Sequence, residues 1–143
     1  MVFQFDLETD MTATEVGPGE SFDVRPVVTS DATKEMYVFI QVDMPETFDG
    51  ALYSFEVNPE WISVGDSDGR IVYAYAGSEM TALQPGDSTS ALTERMKMNE
   101  ISNAEYAAID DINITIIGYA MGTEDMSADP QEAWNECKAI GNI

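Results

Sequence analysis

Apolar residues return at every second position along most of this chain, and Gly, Pro, Asp and Ser punctuate the runs. A period of two sends alternate side chains to opposite faces of a strand, so each run describes a strand with at least one buried face. Several short strands separated by turn residues predict an all-β sandwich. The first run, "VFQFDL", puts Phe3, Phe5 and Leu7 on one face and Gln4 and Asp6 on the other. "SFDVRPVVT" sets Phe22, Val24 and Val28 against Asp23 and Arg25, and Pro26, lacking an N–H, points to an edge or a bulge. "MYVFIQVDM" is apolar on both faces at its start, as expected of a central strand.

After the turn "PETFDG", "ALYSFEV" places Tyr53, Phe55 and Val57 together. "WISVGDSDGRIVYAYA" predicts a hairpin turning at "GDSDG", and "LQPGDS" predicts a second turn. In "SALTERMKM", Leu92, Met96 and Met98 share an apolar face, a pattern that fits a strand or a helix. "NEISNAEYAAIDD" gives no clear period. "INITIIGYAM" aligns Ile112, Ile114, Ile116, Gly118 and Ala120, while its other face turns apolar at Ile117 and Tyr119, predicting a strand buried on both sides toward Met121.

The tail changes period. Asp129 is an N-cap candidate, Pro130 suits the first helical position, and Glu132 completes a capping box. Lys138 complements the negative end of the dipole and Gly141 suits C′. One short C-terminal helix over about residues 130–140 follows, with Ala133, Trp134, Cys137 and Ile140 on the side that packs onto the sheet.

A chain of 143 residues with 44% hydrophobic content is expected to fold as one domain over residues 1–143. Its 27 acids against 6 bases give a net charge of −21, which repels phosphate backbones and anionic lipid, so neither nucleic acid nor membrane insertion is expected. The absence of histidine removes Ser-His-Asp and Cys-His nucleophile systems and HExxH zinc sites. Carboxylates alone remain for chemistry, and adjacent pairs such as Asp110 and Asp111 would point to opposite faces of a strand. The chain is therefore expected not to be an enzyme and to carry no cofactor. Cys137 stands alone and, on a packed helix face, is expected to be a small buried hydrophobe.

Asp66 and Asp68 in "GDSDG" are weak calcium candidates, because aligning Gly69 to the EF-hand glycine leaves Val64 and Tyr75 at ligand positions. A plain hairpin turn is the simpler assignment there. Glu124 and Asp125 are expected to be solvated, while Asp129 caps the helix. Met96 and Met98 are soft ligands for copper(I) in principle, but alternate methionines on a strand ordinarily fill core gaps. The sequon "NIT" at residues 113–115 falls inside a strand. Trp61, Tyr73 and Tyr75 are candidates for an exposed aromatic platform in a monomeric module that binds glycan or a host protein.

Three segments in order, "GPGESFDVRPVVTSDATKEMYVFIQV", "LQPGDSTSAL" and "ITIIGYAMGTEDMSADPQEAW", resemble the TasA/camelysin family of bacterial surface proteins. The resemblance implies a β-sandwich of jelly-roll or immunoglobulin-like type with a helical appendage, secretion after removal of a signal peptide upstream of Val2, and a role at the cell surface or in biofilm-matrix fibres. Its partners would be copies of itself or other surface proteins. In such fibres an N-terminal segment completes a neighbour's sheet, so residues 1–15 become a mobile or donor segment, with Val2, Phe3, Phe5 and Leu7 as the polymerisation strand. Some members of that family carry a metallopeptidase label, and the resemblance does not extend that activity to a chain without histidine.

Overall fold

A computed structural model describes residues 2–7, 21–23, 26–43, 46–47, 50–51, 53–67, 70–98, 115–124 and 126–141. The described residues are mostly β, with one short helix toward the C-terminus. Ten strands are described: β1 (Val2–Leu7), β2 (Ser21–Asp23), β3 (Met36–Asp43), β4 (Glu46–Thr47), β5 (Gly50–Ala51), β6 (Tyr53–Phe55), β7 (Trp61–Ser67), β8 (Arg70–Tyr75), β9 (Arg95–Met98) and β10 (Thr115–Gly122). The helix, α1, spans Pro130–Gly141. Five strands form an antiparallel sheet in the order β1-β10-β3-β8-β7; β2-β9-β6 form a smaller sheet, and β4 and β5 pair with each other.

The doubly apolar run becomes the centre of the large sheet. β3 lies between β10 and β8, and Val38, Phe39, Ile40 and Val42 are fully buried. Its two faces meet different layers. Tyr37 and Phe39 join Val72, Ala74, Tyr119 and Met121 in one cluster with Ala133, Trp134 and Cys137 of α1. Alternation puts Val38, Ile40 and Val42 on the opposite face, together with Tyr73, the register partner of Ile40. There Phe55 of β6 meets Tyr73 edge-on, ring centroids 5.9 Å apart, so the small sheet touches the large one on the side away from the helix.

The two predicted turns lie between paired segments. β7 and β8 form the expected hairpin, paired as far as Ser67 and Arg70, which places the connection at residues 68–69, outside the described residues. In Gln84-Pro85-Gly86-Asp87 the Asp87 N–H donates to the Gln84 carbonyl over 3.0 Å, and Gly86 has φ +84°. Proline at the second position and a left-handed glycine at the third make a type II turn. Beyond it the chain runs alongside residues 26–30: Thr89 N donates to Val28 O at 2.8 Å and Leu92 N to Pro26 O at 2.9 Å. The last four residues of "SALTERMKM" form a strand, β9, in the middle of the small sheet; β2, the Ser21–Asp23 part of "SFDVRPVVT", lies at that sheet's edge, and Pro26 stands outside it. Residues 99–114, including Asp110, Asp111, Asn113 and Ile114, lie outside the described residues, as does Asp125.

α1 begins where its caps place it. Asp129 Oδ2 accepts from the Glu132 N–H at 3.0 Å, and the Ala133 N–H donates to the Asp129 carbonyl at 2.8 Å. The reciprocal capping-box bond is replaced by a relay: the Asp129 N–H donates to Ser127 Oγ at 3.1 Å, and the Ser127 hydroxyl donates to Glu132 Oε2 at 2.8 Å. Glu136 Oε2 also accepts the Ser127 N–H at 3.1 Å, so one serine fixes both carboxylates on the first two turns. Asp129→Ala is expected to cost about 1 kcal/mol in urea denaturation, the ordinary value of a lost N-cap.

Candidate functional site

Four segments distant in sequence meet beyond one end of β3 and leave an open cleft of about 1020 Å³. Its walls are residues 31–36 leading into β3, the turn at Gln84 and Pro85, the end of β10 with the loop to Met126, and Ile140 from the last turn of α1. The floor is apolar: Met36 and Met121 are buried and Met126 half-buried. Ile140 was expected on the packed helix face. It is instead 56% exposed, because α1 packs through Pro130, Ala133, Trp134 and Cys137 and its last turn borders the cleft.

Glu35 ties these walls together. Gln84 Nε2 donates to Glu35 Oε2 at 3.0 Å and the Thr123 hydroxyl to Oε1 at 2.8 Å, joining the type II turn and the exit from β10 through one carboxylate. The two donors, Gln84 first, hold the Glu35 carboxyl below its usual pKa. Lys34 lies 3.6 Å from Glu124, and both side chains are so exposed that the pair contributes little. Glu124 is therefore solvated, as expected, apart from this contact.

A second polar feature crosses the helix-facing side of the sheet. Arg70 Nε and Gln41 Nε2 both donate to Asp43 Oδ1, at 3.0 and 3.1 Å, and the Tyr119 hydroxyl donates to Gln41 Oε1 at 3.4 Å. This chain satisfies Gln41, which is 2% exposed and would otherwise be costly to bury. Burial is the main cause that raises the Tyr119 pKa. The feature reads as core satisfaction.

Val2, Phe3, Phe5 and Leu7 stand on β1 at the edge of the large sheet, opposite Met121, Ala120, Gly118 and Ile116 of β10. The strand is thus paired within its own chain, with glycine and alanine opposite the two phenylalanine positions. Asp66 lies in β7 opposite Ile71, and Asp68 is outside the described residues. Among the described residues no three His, Cys, Asp or Glu side chains gather around a common point. Met96 pairs with Phe22 and Phe55, and Met98 with Tyr53, within the small sheet.

The aromatic platform expected at Trp61, Tyr73 and Tyr75 is not a surface. Trp61 and Tyr73 are buried and Tyr75 half-buried. Trp61 rests against Tyr75 with centroids 5.0 Å apart and donates Nε1–H to the Ser90 carbonyl at 3.2 Å. The chain running from the type II turn covers rings that local alternation left open.

Cys137 is fully buried on α1, and burial pushes its thiol up to about 11, so it is protonated at neutral pH and is not a nucleophile. Among the described residues no helix is long and apolar enough to cross a membrane. No protein-family model matches the chain, and searches of curated proteins and of solved structures return no match.

Proposed function

We propose that this chain is a non-enzymatic structural protein of a bacterial surface or biofilm matrix, secreted, with a jelly-roll or immunoglobulin-like sandwich, whose copies join by exchange of β1. The single observation behind the reading is the position of β1. Among the described strands it lies at the edge of the large sheet, and six register pairs with β10 hold it. An edge strand can leave and be replaced by the same strand of a neighbour with every backbone bond remade. Residues 8–20 separate β1 from β2, a length of chain that spans at most about 45 Å when extended. The resemblance to surface-fibre proteins supplies the secreted setting, and the lack of histidine leaves little chemistry for an enzyme.

Deleting residues 1–8 is expected to abolish filaments seen by electron microscopy. Because the deletion also opens the sheet beside β10, a synthetic "VFQFDL" peptide added to the shortened chain should restore thermal stability without restoring filaments. Filaments that survive the deletion would overturn strand exchange.

A further inference from the structure

We propose that the cleft bordered by Glu35 and Ile140 is a docking site for a basic peptide segment carrying an apolar anchor. This goes beyond the fibre reading and does not depend on it.

Shape and floor come first. A cleft of about 1020 Å³ is at the upper end of ordinary ligand sites, so it admits a few side chains rather than a whole domain face. Met36, Met121 and Met126 are among its lining residues; the first two are buried beneath the surface and Met126 is half-buried, an unbranched, polarisable side chain of the kind that adapts to different apolar groups. Ile140 extends that surface to the mouth. Ala133, Trp134 and Cys137 on the same helix are buried, whereas Ile140 is left in water at 56% exposure. Occupation of the cleft would cover it.

Charge selects the occupant. Among the described residues, Asp31, Glu35 and Glu124 rim the cleft against Lys34, on a chain of net charge −21. A copy of this chain, with 6 bases against 27 acids, offers this rim few cations to pair with, whereas a lysine- or arginine-rich segment is drawn in. Glu35 is fixed in place by Gln84 and Thr123, so a carboxylate is already oriented at the wall. The partner is thus a peptide that alternates cationic and apolar side chains, the apolar ones reaching the methionines.

The test is fluorescence anisotropy with a short fluorescein-labelled peptide of alternating lysine and leucine, at about 0.15 M salt so that diffuse attraction is screened beyond about 8 Å. Binding is expected, and the matching lysine-serine peptide should bind roughly tenfold more weakly. Ile140→Glu should weaken the lysine-leucine peptide by a similar factor. That substitution adds negative charge, which by itself favours a basic ligand, so weakening reports the lost apolar contact. Val27→Glu, the same change at an exposed hydrophobe outside the cleft lining, should leave affinity within about twofold. In methyl NMR the Met36, Met121 and Met126 signals should move on titration. Equal binding of the lysine-serine peptide, undiminished binding by Ile140→Glu, or methionine signals that stay still would each overturn the proposal.

Discussion

Trp134→Ala is expected to be the most damaging single substitution on α1, lowering the free energy of unfolding by about 3–5 kcal/mol. The indole is 3% exposed and is the largest of the four buried side chains through which the helix packs on the sheet. Its ring centroid lies 5.1 Å from Phe39 on β3 and 5.6 Å from Tyr119 on β10, both in tilted arrangements that favour aromatic pairs. Lys138 Nζ stands 5.9 Å from the ring centroid. Against a typical domain stability of about 5–15 kcal/mol the loss is large, and for a chain this size it corresponds to a fall of roughly 10 °C or more in Tm. Thermal and urea denaturation followed by circular dichroism measure it, and Trp61, the remaining tryptophan, reports the opposite side of the sheet by fluorescence. A cost below about 1 kcal/mol would mean that α1 is an appendage and that the sheet stands without it.

The helix and the central strand were legible in the sequence because local rules decide them. A strand apolar on both faces has nowhere to lie but between two layers, and β3 does so. Asp129 and Pro130 set the start of α1 by chemistry that acts within one turn. Ser127 was missed because it lies outside the capping-box pattern, yet its hydroxyl reaches both Asp129 and Glu132. Ile140 was misplaced for a different reason. Helical periodicity says which side a residue is on, but not whether the partner surface extends that far. Trp61 and Tyr73 were misread because their cover, Phe55 and the Ser90 carbonyl, comes from segments far from each ring along the chain. The cleft escaped the sequence altogether, since its walls come from positions near 31, 84, 123 and 140. The "LQPGDS" turn supplies one of those walls through Gln84 and Pro85.

Gly65→Leu is expected to cost about 1–3 kcal/mol, whereas Gly65→Ala should change stability by less than about 1 kcal/mol. The contrast follows from space rather than backbone conformation, because Gly65 does not have a positive φ. The β7–β8 register shifts between Ser63 and Gly65, so one extra residue is accommodated in β7, and Val64 is turned into the helix-side core. Gly65 then lies opposite Val72 under the indole. A Cβ there would stand 3.4 Å from Trp134 Nε1 and 3.7 Å from Val72 Cβ, ordinary contact that alanine can make. Leucine's branch must push beyond that Cβ into the ring. The decisive measurement is a double-mutant cycle with Trp134→Ala. Removing the indole opens the space that leucine needs, so in the Trp134→Ala background the cost of Gly65→Leu should fall toward zero or change sign, a coupling of roughly 1–3 kcal/mol. Urea denaturation of the four proteins gives the value. Additivity within about 0.5 kcal/mol would show that Gly65 is not the clearance for Trp134, and that the bulge serves Val64 alone.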